Sequence, residues 1–210
     1  SKNYSKILNE ISQEFDFVMK NKTPNDLLVI SNLFYEIVSA NTLYSNLCAK
    51  LFKELFDEID NLKKILDQQL KNTEFKINNI KYIDPDIDYD LFCDNNKNNE
   101  KIRGEFLFLS NLVKIDVVDI DCATEIINIL FTTLNKFIEQ KDKKNEIDEI
   151  SEIIYIFVSN VFCKIKDFDN KKSDNIFFII ENISKMKVTT TPGISNKCIF
   201  KHMDLLDELS

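Results

Sequence analysis

The chain has 210 residues but only two glycines and three prolines, and it contains no tryptophan. Glycine and proline break helices and form tight turns, so an all-β domain with many turns would need more of both. Hydrophobic residues make up 44% of the chain, which excludes a polar, disordered chain. They recur at every third or fourth position, and this spacing predicts an all-α protein.

Arginine is also scarce, since Arg103 is the only arginine among 27 basic residues and the net charge is −8. Proteins that bind nucleic acid without sequence preference usually present a basic face, and arginine pairs with phosphate better than lysine does. The composition therefore disfavours strong RNA binding, while a local lysine patch still allows a weak RNA contact.

The residues that build most catalytic and metal sites are few and scattered. His202 is the single histidine, and no CxxC pair or glycine-rich phosphate loop occurs. These absences disfavour a zinc site, a catalytic triad and a P-loop motor. We therefore expect a protein that is not an enzyme and uses no metal or cofactor, with His202 at the surface or in side-chain packing.

Five cysteines are widely spaced along the chain: Cys48, Cys93, Cys122, Cys163 and Cys198. All except Cys93 lie in or beside apolar helical runs, where we expect them to be reduced and buried. Reduced cysteines, together with the lack of a signal peptide and of an apolar run of about 18 residues, predict a cytoplasmic protein outside the membrane. The sequence starts without methionine, so we expect a fragment of a longer chain.

Apolar residues at helical spacing, interrupted by short breaks, predict about eight helices. Their expected ranges are 5–20, 26–40, 42 to about 70, 101–113, 119–140, 147–165, 173–186 and 195–209. Short connections force consecutive helices to run antiparallel. The resulting period of about 35–45 residues is typical of HEAT repeats. The expected fold is therefore a HEAT-type α-solenoid of about four antiparallel helix pairs, and a compact helical bundle is the alternative.

Residues 73–100 interrupt this pattern within a single predicted domain over residues 1–210. Apolar and polar residues alternate around Asn78-Asn79, which is a hairpin signal. Aspartates at every second position from Asp84 to Asp90 indicate a solvated loop; the alternative, a cation loop, lacks the glycine and closing glutamate of an EF-hand. Residues 94–99 are rich in asparagine and indicate a flexible loop. We therefore expect an irregular insertion at about 73–100.

Four segments share a pattern with one known family, in the same order along the chain. They are Ile7–Ile11 with Phe15, Leu28–Leu51 with its Tyr44-Ser-Asn-Leu-Cys48 core, Arg103–Ile115, and Ser195–Phe200 followed by Asp204–Asp207. Together they resemble the middle domain of eukaryotic translation initiation factor 4G, a HEAT-repeat family.

The chain also departs from that family. Ser110-Asn111 stand where the family has glycine and glutamate, and Lys197 and Leu209 replace its closing arginines. The resemblance is therefore to a divergent member. Tyr44 and Cys48 are expected to pack in the core and to mark the family without forming a site.

The resemblance implies a translation initiation scaffold that binds and stimulates a DEAD-box RNA helicase of the initiation factor 4A type. Other initiation factors would bind through regions outside this segment. Two alternatives remain open: a related middle-domain adaptor in mRNA decay, splicing or cap-complex assembly, or a weak RNA-binding module.

The resemblance also points to partner-binding residues at two ends of the solenoid. The leading helix would meet the carboxy-terminal lobe of the helicase through Leu8, Ile11 and Phe15. The closing helix would lie near its amino-terminal lobe with Lys197, Lys201 and Asp204. The alternatives are that the first three simply pack against the second helix and that the last three form an ordinary solvated face.

Overall fold

A computed structural model describes residues 2–21 and 23–210, without the side chains of residues 2–4, 8 and 19. Within these ranges the chain forms ten α-helices and no strands, so the predicted all-α class is confirmed. The helices are α1 (Lys2–Asn21), α2 (Pro24–Ala40), α3 (Ser45–Phe56), α4 (Asp60–Lys71), α5 (Thr73–Asn78), α6 (Tyr89–Lys114), α7 (Ile120–Ile138), α8 (Lys144–Phe168), α9 (Asn170–Ser184) and α10 (Asn196–Leu209). No helix in these ranges has the length and apolar character that a membrane span requires.

Side chains that accept backbone N–H groups start several of these helices. At α2 the Thr23 hydroxyl accepts the N–H of Asp26 at 3.3 Å, and the Asp26 carboxylate accepts the N–H of Thr23 at 3.0 Å. This capping box satisfies two donors that a helix start leaves unpaired. Single caps begin four other helices: Asp88 for α6, Asp119 for α7, Asp169 for α9 and Ser195 for α10.

The helices form a two-layered helical repeat. Helices α2, α6, α8 and α10 pack successively against one another as one layer. On their other side α4 packs on α2, α7 on α8, and α9 on both α8 and α10, while α1 covers the start of α2. The predicted helical repeat is thus the observed architecture.

A continuous apolar core runs between the layers. At the amino-terminal side, the Phe52 ring stacks on Phe34 and lies edge-on to Tyr35 and Phe108, with ring centroids 5.5 to 6.3 Å apart. Such edge-on pairs add to the free energy that burial of the rings provides. The core continues along α6, α7 and α8 to α10.

The carboxyl end of α6 is closed by a turn at Asp116, whose φ is 63°. The N–H of Val117 donates to the carbonyl of Leu112 at 3.0 Å, and the N–H of Asp116 donates to that of Val113 at 3.1 Å. These two bonds define a Schellman turn, in which aspartate stands where glycine is commonest. The break predicted near Asp116 is therefore confirmed.

The expectation for residues 73–100 is partly wrong. Thr73–Asn78 is helical, so the predicted hairpin is wrong. Residues 94–99 lie inside α6, which the Asp88 cap starts well before the predicted onset at 101. Only residues 79–88 lack a helix, and the run Asp84–Asp90 is exposed.

The region around Tyr44 also differs from the prediction. Tyr44 is 56% exposed at the start of α3, so its expected place in the core is wrong, and Cys48 is half-buried. The predicted third helix is two helices, because the chain turns at residues 57–59 before α4.

The cysteines are all free thiols, but Cys198 alone is buried. Cys163 is exposed, and Cys48 and Cys122 are half-buried. The prediction that these three cysteines are buried together with Cys198 is therefore wrong. A cysteine beside an apolar run can still face away from the core, because a helix presents every side of its surface within one turn.

Candidate partner-binding site

The amino-terminal candidate residues lie on the face of α1 that packs against α2. Ile11, Phe15 and Val18 follow the spacing of one helix face. Phe15 is only 4% exposed, and its ring lies edge-on to Phe34 with the centroids 5.6 Å apart. The backbone of Leu8 belongs to α1, but its side chain lies outside the described residues.

A surface groove of about 480 Å³ separates α1 from α2. Its apolar walls are formed by Ile11, Phe15 and Val18 of α1 and by Ile30 of α2. Phe15 is therefore a buried wall of the groove and not a freely exposed anchor. Phe15 therefore packs against the second helix, as the alternative interpretation expects. Partner binding through Leu8, Ile11 and Phe15 stays a prediction.

The apolar surface continues from the groove onto the outer side of α2. Ile30, Leu33 and Ile37 are three and four residues apart, so they follow one side of the helix. Leu33 is 52% exposed and Ile37 is 69% exposed. We call the groove walls together with Leu33 and Ile37 the amino-terminal apolar face. Neighbouring exposed apolar side chains of this kind form a candidate site of protein interaction.

Carboxylates border this face. Glu10 and Glu14 lie at the rim of the groove, one helical turn apart on α1. Lys6 pairs with Glu10 at 3.7 Å, and both side chains are highly exposed, so water screens this pair. Within the described residues Glu14 has no cationic partner. The rim therefore favours a partner that places basic groups beside an apolar anchor.

A buried polar cluster fixes the inner side of α2. Lys76 donates to both oxygens of the Glu105 carboxylate at 2.6 and 2.7 Å, and the Tyr35 hydroxyl donates to Glu105 at 3.0 Å. Burial, with the Glu105 charge beside it, raises the pKa of Tyr35 well above its usual value. The cluster joins α2, α5 and α6, so the outer face of α2 is presented on a rigid support.

The second set of candidates lies on α10, at the other end of the layer from α2. Lys197 and Asp204 are exposed. Lys201 is held in place, because its ammonium group pairs with Glu152 at 2.9 Å and lies 4.6 Å from the Tyr155 ring centroid. Lys201 is thus engaged within the protein, and Lys197 and Asp204 are left as the accessible members of this set.

His202 on the same helix is fully buried, so the packing alternative is correct for this residue. Burial lowers its pKa to about 4, and a hydrogen bond to the Cys198 carbonyl offsets part of that effect. Its Nδ1 lies 2.9 Å from that carbonyl oxygen, and Nε2 has no hydrogen-bond partner among the described residues. A histidine in this setting remains neutral near pH 7 and packs in the core.

Sequence reasoning missed several members of the apolar face. Leu33 and Ile37 follow the apolar spacing of α2, but the buried residues of this helix include Tyr35 and Val38 on the opposite side. The signal that identifies them is the spread of apolar residues around more than one side of α2. The rim residues Glu10 and Glu14 carried no signal beyond their spacing of four.

No group of three or more histidine, cysteine, aspartate or glutamate side chains in the described residues is arranged to hold a metal ion. Comparison of the chain with known proteins finds no family model that matches it and no significant match among curated proteins. The resemblance to the initiation factor 4G middle domain therefore stays a prediction.

Proposed function

We propose that this protein is a non-enzymatic helical-repeat scaffold that binds a DEAD-box RNA helicase of the initiation factor 4A type in translation initiation. The observation that carries the scaffold function is the amino-terminal apolar face, which the fold leaves uncovered at Leu33 and Ile37. The choice of a helicase as partner rests on the four ordered segments that resemble the factor 4G middle domain.

The proposed mechanism is a shift between two states of the helicase. The apolar face on α1 and α2 would contact one lobe, and Lys197 and Asp204 on α10 would contact the other. These surfaces lie at opposite ends of the layer that α2, α6, α8 and α10 form. A rigid ligand that spans two lobes favours the closed state only to the extent that it binds that state more tightly than the open one.

Isothermal titration calorimetry with a purified 4A-type helicase tests the proposal. The variant Leu33→Gln/Ile37→Gln removes two exposed apolar side chains from the face, and Ile87→Gln/Leu91→Gln is the matched control at side chains 84% and 51% exposed. We expect the first variant to weaken binding at least 10-fold, or about 1.4 kcal/mol, and the control to bind like the unaltered chain.

A helicase ATPase assay with RNA provides the functional readout. Stimulation should fall in the Leu33→Gln/Ile37→Gln variant in proportion to the lost binding. A folded, unaltered chain that fails to bind the helicase at tens of micromolar would contradict the proposed partner. Preferential binding of a helicase from mRNA decay or splicing would favour the related adaptor function.

A further inference from the structure

A second surface hollow, of about 560 Å³, lies where the end of α6, the start of α7 and the end of α8 meet. Its lining residues are Asp116, Asp119, Ile120, Asp121, Lys164, Asp167 and Phe168. We call it the Phe168 hollow. None of its residues belongs to the amino-terminal apolar face, so the two surfaces are distinct.

Two of the seven residues that line the Phe168 hollow, Phe168 and Ile120, are apolar, and the other five are charged. Phe168 is the last residue of α8, and its ring is 63% exposed, while Ile120 at the first position of α7 is 9% exposed. A large aromatic side chain that is mostly exposed beside a hollow offers an uncovered face to a ligand.

The rim carries more negative than positive charge. Lys164 pairs with Asp116 at 2.6 Å, and Lys172 pairs with Asp121. The Lys53 ammonium group, which donates to the Ile115 carbonyl beside Asp116, is a third cation near the rim. Four carboxylates against three ammonium groups leave one negative charge. The Asp119 carboxylate accepts the backbone N–H of Cys122 at 2.6 Å, and Asp167 has no cationic partner in the described part of the chain.

A lysine side chain of the protein itself lies at the edge of this hollow. The Lys172 ammonium group lies 5.7 Å from the centroid of the Phe168 ring while it pairs with Asp121. An aromatic face together with a carboxylate is a favourable environment for a cationic side chain. Asp167 also lines the hollow beside Phe168, and Asp167 has no ammonium partner of its own among the described residues.

We propose that the Phe168 hollow is a docking site for an arginine side chain in a basic segment of a partner protein. The guanidinium group pairs with Asp167 and Asp119, and its planar face and aliphatic stem lie against Phe168 and Ile120. Arginine fits this site better than lysine, because its planar fork can pair with a carboxylate and stack on a ring together. The carboxylate rim repels nucleic acid, so the partner surface is a protein.

A labelled peptide of alternating arginine and alanine tests this site on the full chain by fluorescence anisotropy. The same peptide with citrulline in place of arginine keeps the planar shape and part of the N–H donors but removes the charge. The site variant is Asp167→Asn/Phe168→Ala. The matched control is Asp86→Asn/Ile87→Ala, which also removes one carboxylate and one exposed apolar side chain from adjacent positions.

We expect the unaltered chain and the control to bind the arginine peptide with the same Kd, and the site variant to bind at least 10-fold more weakly. The citrulline peptide should bind none of them measurably. Phe168→Leu should cause an intermediate loss, because it keeps apolar contact but removes the aromatic face. All substituted side chains are exposed, and thermal melting will verify that each variant is folded.

Equal weakening by the site variant and the control would show that the peptide responds to overall charge, which overturns the proposal. The absence of binding to the unaltered chain at millimolar peptide would also overturn it. Neither outcome bears on the amino-terminal apolar face, whose test uses other residues and another partner.

Discussion

Helices α2 and α8 are both rich in apolar residues, but they differ in how many of these residues are buried. α2 leaves Leu28, Val29, Leu33 and Ile37 between 41% and 69% exposed. α8 buries apolar side chains along most of its length: Ile147, Ile150, Ile153, Ile154, Phe157, Val158, Val161, Phe162 and Ile165.

The difference comes from where the neighbouring helices lie. α8 packs against α6, α7, α9 and α10, which surround its apolar sides. The neighbours of α2 cover the side that carries Tyr35 and Val38 and leave the opposite side to solvent. Exposed apolar residues on α2 therefore contribute little to folding.

The substitution with the largest expected effect is Phe157→Ala in the centre of α8. Phe157 is fully buried, and its ring lies edge-on to Phe106 with the centroids 6.0 Å apart. Loss of this ring leaves a cavity, and we expect the free energy of unfolding to fall by about 3–5 kcal/mol. Urea denaturation at 25 °C measures the change.

Phe17→Ala is the matched control on α1, since Phe17 is 56% exposed. We expect it to change the free energy of unfolding by about 0.5 kcal/mol or less. If Phe17→Ala and Phe157→Ala lower the free energy of unfolding by the same amount, the contrast between the amino-terminal helices and α8 is wrong.

The two glycines provide the next comparison, through Gly193→Ala and Gly104→Ala. A methyl group at Gly193 would lie only 2.5 to 2.7 Å from the backbone oxygens of Gln140, Ile138 and Phe137. Because these atoms belong to the backbone at the end of α7, they cannot move aside easily. We expect Gly193→Ala to lower the free energy of unfolding by about 1–3 kcal/mol.

Gly104 lies inside α6 where the end of α2 crosses it. Its nearest contact would be the Ser39 backbone oxygen at 3.1 Å, which is tight but less so than at Gly193. Alanine also favours a helix interior over glycine by about 0.5–1 kcal/mol, which offsets the crowding. Melting curves of the two variants should therefore differ clearly, with Gly104→Ala the closer to the unaltered chain.

The burial of His202 in α10 predicts that the stability of the protein depends on pH. Its pKa is lowered by burial to about 4 in the folded protein, against about 6.5 in an unfolded chain. Between these values the unfolded chain binds a proton that the folded protein does not. The contribution of neutral His202 to the free energy of unfolding is thus fully present above about pH 6.5 and is lost as the pH falls toward 4.

The loss between pH 7 and pH 5 should be about 2 kcal/mol, an order-of-magnitude figure from the shift in pKa. Urea denaturation at several pH values between 5 and 7 measures it. His202→Leu should abolish most of this slope, because carboxylates titrate mainly below that window. A slope that persists unchanged in the variant would assign the pH dependence to other groups.

Much of the fold follows from local chemistry that a sequence displays. The apolar period predicted the helices, and Thr23, Asp119 and Ser195 are capping residues at starts that were predicted within a few residues. Residues 94–99 were missed because their asparagines have no apolar period. They are helical because the Asp88 cap and the buried segment that follows Arg103 extend α6 through them.

The candidate site was harder to predict because exposure depends on distant parts of the chain. The spacing of Ile11 and Phe15 places both residues on one face of α1, and the structure packs that face against α2. It could not show that α2 would bury Phe15 or leave Leu33 and Ile37 uncovered, since those outcomes depend on where α4 and α6 pack. The Phe168 hollow likewise joins residues of α6, α7 and α8 that no local pattern connects.

The smallest expected effect on stability is that of Leu33→Gln/Ile37→Gln, and it tests the comparison most directly. Both side chains are more than half exposed, so the substitutions remove little buried apolar area. Glutamine also favours helix more than isoleucine does, so the unfolding free energy should stay within about 0.5 kcal/mol per site or rise slightly. Urea denaturation measures this change. A loss of unfolding free energy above about 1 kcal/mol per site would mean that the folded chain covers this side of α2. Both α2 and α8 would then use their apolar residues for folding.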